Sequence, residues 1–478
     1  MKFDSATSDV ATSGWWRAPS KKRHQMTIGG PGKRLACNRE RWRRCQSGQA
    51  VDKVRLRKGT FSGLSREALV EKTRRHLNAG KGDWLLDLEM DLVVGQREGC
   101  FVYDLDGSRF LDADCDGTTF NLGHRHPRLV ARLKEGADHC DIGYQVLPSA
   151  ARVALAQELF SSLAPGLRFV HFATSGSEAS EAAVRAARAA TGREKIVSIR
   201  GARHGRMGLA GHLARKALVA PAAGATASSS VPVRWDDLSA MEAALDRKDV
   251  AAVLMEPTPA ALGWPMPASA YHSGVRERCS ATGTLLIVDE GQTGLGRTGK
   301  VWAMEHWNLV PDILVMAKGA SGGLYPLAYC VMNSQAAEWM TSHPLSMLST
   351  FAGSELGCLI GAEVLRITKQ PQFLATVDLA AQHLSTGLKS LASRFPSQVV
   401  EVRQLGLAAA LKFSDPHGGA LMMSALFRHH VWAAAAPFDL SVIQIKPPLI
   451  IDRAKLELLL DAIEAAMLDC WGNSAVGA

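Results

Sequence analysis

The stretch Val310-Pro311-Asp312-Ile313-Leu314-Val315-Met316-Ala317-Lys318-Gly319 constrains this chain more than any other. An apolar run of strand length stops at a lysine, and Gly319, Ser321, Gly322 and Gly323 follow. A strand buried on both faces of a parallel sheet reads as such a run. Open α/β sheets bind ligands at the carboxyl ends of their strands. A lysine held there, partly removed from water, loses its proton more readily than one in bulk solvent. It can then attack an aldehyde and form a Schiff base. The bland alternative is a solvent-facing lysine that closes a strand.

A second run, Thr284-Leu285-Leu286-Ile287-Val288-Asp289-Glu290, ends in a carboxylate. Pyridoxal phosphate needs both groups: a lysine for its aldehyde and an acid for its ring nitrogen. Two neighbouring strands ending in Lys318 and Asp289 would supply them at one sheet edge. Further strand-like runs are Val170 to Ala173, Lys195 to Ile199 and Val250 to Met255, the last ending in Glu256-Pro257. They alternate with helical segments across residues 165–335, the pattern of a mostly parallel α/β sheet. Thr174-Ser175-Gly176-Ser177 links one strand to an alanine-rich helix running to Thr191-Gly192. Its first N–H groups and dipole make an anion site at Gly176 and Ser177; a plain N-cap reads equally well.

At 478 residues the chain is too long for one simple core, and two or three domains are expected. The net charge of +9 belongs to one end. Residues 1–58 hold fifteen Lys and Arg against four Asp and Glu, so the remainder carries −2. That tail, densest at Arg39 to Arg44, reads as a disordered extension, with a nucleic-acid arm or transit peptide as the functional alternatives. Nucleic acid is the less favoured, because Trp15, Trp16 and Trp42 are not regularly interleaved with the basic residues. The nine cysteines form no CxxC pair, which points to a reducing compartment, the cytoplasm. No apolar run has membrane-spanning length, and no secretory signal is apparent.

Asp106-Gly107 predicts a hairpin turn between strands at Gly99–Leu105 and Ser108–Asp112, and Ser65 a helix start. Asn121-Leu122-Gly123-His124-Arg125-His126-Pro127 carries two histidines but no third ligand at metal spacing, so no metal is assigned. Helix is expected over Thr376 to Phe395 and Arg453 to Cys470, with strands at Val399 to Val402 and Ala408 to Phe413. The boundaries drawn are 1–58 for the tail, 59–125 for an N-terminal segment of a small domain, 126–372 for the large domain and 373–478 for the rest of the small domain.

Asp289-Glu290-Gly291-Gln292-Thr293-Gly294-Leu295-Gly296-Arg297-Thr298-Gly299, with Pro311-Asp312-Ile313 and Lys318-Gly319, resembles the signature of class III aminotransferases. Ser321-Gly322-Gly323-Leu324-Tyr325-Pro326 is similar to the ornithine and acetylornithine branch. The resemblance runs from about Gly99 to the final helix. It implies a fold-type-I pyridoxal-phosphate transferase: a large domain with a mostly parallel seven-stranded sheet flanked by helices, plus a smaller α+β domain. It implies amino transfer between an amine or amino acid and a keto acid, in a homodimer with shared sites. Lys318 would form the Schiff base and Asp289 would pair with the pyridine nitrogen. Gln292 would sit by the ring hydroxyl, and Ser175, Gly176 and Ser177 by the phosphate, with His204 and Glu256 in the same cofactor site. Thr350 would reach the neighbouring subunit's phosphate.

The chain also departs from the family pattern. Arg203 stands where an aromatic residue usually stacks on the cofactor; its guanidinium either takes that place, pairs with an anion, or swings to solvent. Ala261 and Gln444 stand where many members have a switchable glutamate–arginine pair. Both partners are missing together, which avoids one buried unpaired charge. Asp114 and Asp116 are either solvated loop carboxylates or selectors of a cationic amine. The altered pocket keeps a lyase, decarboxylase or aminomutase on the same cofactor as alternatives, and a non-catalytic binding protein as one of another class.

Overall fold

Successive side chains on a strand point to opposite faces, so an unbroken apolar run needs a core on each side. The computed structural model, which describes residues 63, 65–80, 83, 90, 92–213 and 229–472, supplies both. The basic tail lies outside the described residues. The chain divides into two units, Met1–Val93 and Val94–Ala478. In the first, the helix Arg66–His76 starts at Ser65, whose Oγ accepts from the N–H of Ala68 at 3.2 Å. Glu67 in its first turn and three basic residues in its last complement the helix dipole.

The second unit holds three sheets. β1 (Val94–Glu98), β2 (Phe101–Asp104) and β3 (Arg109–Asp112) form an antiparallel meander, with Asp106-Gly107 in the second turn as expected. The large sheet uses β4 (Phe169–Ala173), β5 (Lys195–Ile199), β6 (Ser230–Val233), β7 (Val250–Met255), β8 (Leu285–Asp289), β9 (Ile313–Met316) and β10 (Ala328–Met332). Its order is β4-β10-β9-β8-β7-β5-β6, with β10 antiparallel to both neighbours and the other pairings parallel. The third sheet contains β11 (Val399–Leu405), β12 (Ala408–Phe413), β14 (Ala434–Ala436) and β15 (Asp439–Ile445). The short β13 (Val431–Trp432) returns to pair with β3, so late chain completes the early sheet.

The alternation sorts the large sheet's side chains into two cores. Val253, Met255, Leu286, Val288, Leu314 and Met316 join one. Leu254, Leu285, Ile287, Ile313 and Val315 join the other, packed by Ala179, Ala182, Ala183, Ala186 and Ala187 of the helix Gly176–Thr191. Alanines on that face let the helix axis lie close to the strands. The fold is therefore α/β, of fold type I. The helix expected from Thr376 starts earlier, at Pro371, since a proline fits the first helical position. No helix among the described residues is long and apolar enough to cross a membrane.

Candidate active site

Because β10 alone runs against the others, the carboxyl ends of β4, β5, β7, β8 and β9 share one edge. A cavity of about 920 Å³ opens there. Nine of the ten residues singled out from the sequence line it: Ser175, Gly176, Ser177, Arg203, His204, Glu256, Asp289, Gln292 and Lys318. Thr350 does not; it is exposed on a loop between two helices.

Asp289 ends β8 and is held from two sides. Its Oδ2 lies 2.9 Å from His204 Nδ1, and its Oδ1 accepts from the N–H of Gly291 at 2.9 Å. His204 is buried, and its Nε2 has no partner. Glu256, at the end of β7, accepts from the N–H groups of Arg203 and Ala260, both at 3.2 Å, and from Gln292 Nε2 at 3.4 Å. Burial first, and the neighbouring Asp289 charge second, push the Glu256 carboxyl above its ordinary range, with His204 opposing.

Lys318 opens the short 3₁₀ turn Lys318–Ser321 with φ +53°. A non-glycine residue there is strained, and such strain persists where the surroundings over-determine it. The side chain is exposed to the cavity, and the cavity walls crowd round its amine. Burial brings the amine down to about 8, helped by the charges of Lys446 and Arg203 and opposed by Glu256 and Asp289.

One end of the cavity is the start of the helix Gly176–Thr191. Ser175 Oγ caps it by accepting from the N–H of Glu178 at 3.3 Å. The first-turn N–H groups have no acceptors within the helix. Ser177 Oγ accepts from the N–H of Arg206 at 3.0 Å. Gly205 allows this approach, since a Cβ on it would stand 2.8 Å from Ser177 Oγ. Arg203 turns into the cavity rather than to bulk solvent, its guanidinium 5.8 Å from the Phe438 ring centroid.

Two acidic residues separate. Asp116 is exposed at the cavity. Asp114 is not a solvated loop carboxylate: it is buried, with Oδ1 2.6 Å from Lys446 Nζ. Burial pushes its carboxyl up, but the charge and hydrogen bond of Lys446 outweigh that and hold it below its ordinary range. His124 of the two-histidine loop is likewise engaged, its Nε2 2.8 Å from Asp112 Oδ2. The sequence reading missed Lys446 and Gly117. The first is a lysine ending a strand, the same signal as Lys318. The second sits in the turn Cys115–Thr118, where four successive residues have φ between +48° and +77°. A Cβ on Gly117 would stand 3.3 Å from Lys318 Nζ and 3.4 Å from Gln292 Oε1.

These residues fit pyridoxal phosphate: a lysine amine of lowered basicity, a buried carboxylate pinned in place and a helix start for a phosphate, on one cavity. Fold and site together define a fold-type-I pyridoxal-phosphate enzyme. The aminotransferase class-III sequence profile matches residues 87–467. An uncharacterized aminotransferase of Archaeoglobus fulgidus is 37% identical over 408 residues, covering 85% of this chain and 96% of the relative. Among solved structures, the fold is shared with the ornithine aminotransferase of Toxoplasma gondii ME49 (TM-score 0.77, 23% identity, 85% of this chain and 96% of that one). It is shared too with a transaminase of the marine bacterium Virgibacillus (0.78, 22%, 84% and 98%) and the acetylornithine aminotransferase of Elizabethkingia anophelis (0.72, 24%, 85% and 100%). The chain belongs to the class-III aminotransferases. It is an enzyme of amino-group transfer, with pyridoxal phosphate as its cofactor.

Proposed function

We propose that Lys318 holds the cofactor's aldehyde carbon as a Schiff base and Asp289 faces the pyridine nitrogen. Gln292 faces the ring hydroxyl, and Ser175, Gly176 and Ser177 take the phosphate. The observation that carries this is the shared cavity of Lys318 and the buried His204–Asp289 pair. When bound, pyridoxal phosphate supplies a carbon for amine exchange and a ring that withdraws electron density from the substrate carbon. The Asp289 carboxyl group would face the ring nitrogen, and His204 fixes the orientation of that group. Lys318 Nζ, when free, would stand beside the substrate carbon as the base that takes up and gives back its proton. Its lowered basicity leaves a useful neutral fraction near neutral pH. The substrates are an amine or amino acid and a keto acid.

Two copies share their sites in this reading, with Thr350 reaching the partner's phosphate. The support is a patch of exposed apolar side chains: Tyr144, Val146, Leu147, Leu345, Leu348 and Phe351. Their two loops are tied together. Ser349 N–H donates to Gln145 Oε1 at 3.1 Å, and Arg152 bridges the carbonyls of Gln145, Leu147 and Gly353. A cytoplasmic location agrees with the seven described cysteines, all of them free. Borohydride treatment of the purified enzyme should bleach its yellow absorbance and leave a cofactor adduct on the peptide containing Lys318. Lys318→Ala should keep the fold, by circular dichroism, and lose turnover. An adduct on a different lysine overturns the assignment.

A further inference from the structure

Four lysine and arginine side chains line the cavity: Lys318, Lys446, Arg203 and Arg206. Lys318 is the amine of the site. Lys446 is held by Asp114, with Nζ 2.6 Å from its Oδ1, and by Gln444 Oε1 at 2.6 Å. Arg206 belongs to the helix-start end: its N–H donates to Ser177 Oγ at 3.0 Å, and its side chain is exposed. Arg203 is left. It is half-buried, and none of the described residues forms an ion pair with its guanidinium. Its backbone is fixed on two sides. The Arg203 N–H donates to Glu256 Oε1 at 3.2 Å, and the next residue, His204, places Nδ1 2.9 Å from Asp289 Oδ2. Glu256 also accepts from Gln292 Nε2 at 3.4 Å.

Arg203 is therefore anchored among the residues assigned to the ring: beside Asp289 through His204, and beside Gln292 through Glu256. Its side chain leaves that anchorage into the cavity, with the guanidinium carbon 5.8 Å from the Phe438 ring centroid. Phe438 is itself tied down, its N–H donating to the Ala261 carbonyl at 3.1 Å. A half-buried cation without a counter-ion is costly. Burial works against its charge first and Arg206 second, with Glu256 in favour. Such a cation needs a partner that enters the cavity and stays. A guanidinium is flat, and it stacks on aromatic faces as well as pairing with anions. Phe438 lies to one side of it and the cavity to another. The phosphate already has a helix start and Arg206 at its own end, so the ring is what remains for Arg203 to meet.

We propose that Arg203 covers the pyridine ring: its guanidinium lies against the ring face, backed by Phe438, and holds a fixed positive charge there. The charge has a consequence that a neutral cover would lack. A positive neighbour disfavours a proton, so the nitrogen that joins Lys318 to the cofactor gives up its proton at lower pH. Arg203 already acts in this direction on the free Lys318 amine, as does Lys446, while Glu256 and Asp289 at the strand ends oppose them. Asp114 is engaged by Lys446, and His204, Asp116 and Arg206 complete the charged lining. The inference rests on the assignment of this cavity to the cofactor.

The test is reconstitution of the full-length enzyme with pyridoxal phosphate, followed by absorbance. Arg203→Ala should weaken cofactor binding about 2- to 30-fold, the range of a cation–π contact. Arg203→Phe should recover most of that affinity, because a plane again covers the ring. It should also raise the pH midpoint of the bound cofactor's absorbance change by about one unit, because the charge is gone. Arg203→Lys should do the reverse, keeping the wild-type midpoint and recovering less affinity. Unchanged binding in Arg203→Ala overturns the proposal. So does binding by Arg203→Phe no better than that of Arg203→Ala, the mark of a partner for an anion rather than a cover, or an unmoved midpoint in Arg203→Phe. If Arg203→Ala fails to fold, the midpoint of Arg203→Phe against wild type still decides. Borohydride labelling reads the cofactor assignment separately. A label away from Lys318 removes that assignment; a label on Lys318 with unmoved Arg203 variants removes this inference alone.

Discussion

The Lys318 amine is expected to titrate near pH 8 in the cofactor-free enzyme. An ordinary lysine titrates near 10.4. At pH 7.5 roughly a quarter of Lys318 is then neutral, against about one part in a thousand for a surface lysine, a ~200-fold difference in reactive amine. Trace acetylation from pH 6.5 to 9.5 measures this, read by mass spectrometry of the Lys318 peptide and normalised to the exposed Lys248. The Lys318 rate should reach half its plateau near pH 8. Two variants should move that point in opposite directions. Lys446→Met removes a positive neighbour and raises it; Glu256→Gln removes a negative one and lowers it. The same shift has a stability consequence of definite sign. From about pH 8 up to the ordinary lysine value, the unfolded chain binds a proton that the folded chain lacks, so cofactor-free stability rises with pH across that window. A Lys318 profile parallel to that of Lys248, or variants that shift it the same way, would refute the electrostatic account.

Gly117→Ala should lower unfolding free energy by about 1–2 kcal/mol, the cost of a side chain in the left-handed region, measured by chemical denaturation. Because its Cβ would press on Lys318 Nζ, the same variant should also slow acetylation of Lys318; a normal rate would mean the turn does not shape the amine's position. In the proposed dimer, Phe351→Asp, paired with Leu348→Asp, should shift sedimentation to monomer, since it puts charge into the exposed apolar patch. An unchanged dimer would remove that patch from the interface.

Much of the large sheet was legible because it is buried on both faces, and double burial leaves continuous apolar runs. β5, β7 and β12 match the expected segments residue for residue, and β8 and β9 fall within theirs. Less was visible elsewhere. β10, the one reversed strand, ends before the uncharged Asn333, so no ionisable residue marks it. The helix Glu355–Thr368 is buried around most of its circumference, ten of its fourteen residues, so its sequence lacks the one-sided period by which helices are read.

The site divides along a similar line. Lys318, Asp289, Glu256 and the Ser175-Gly176-Ser177 turn announce themselves locally, because each interrupts an apolar strand or opens a helix where chemistry is done. Their grouping on one cavity follows from sheet order alone. The partnerships do not. His204 against Asp289, and Lys446 against Asp114, join residues far apart in the chain through loops whose paths no local pattern reports. The sequence by itself determined most strands of the large sheet and which residues stand at their ends and at the helix start, since burial periodicity and strand ends are local properties. Only the tertiary structure decided which charges are paired, buried or left facing the cavity, because Coulomb and desolvation energies depend on distances in space rather than on order along the chain.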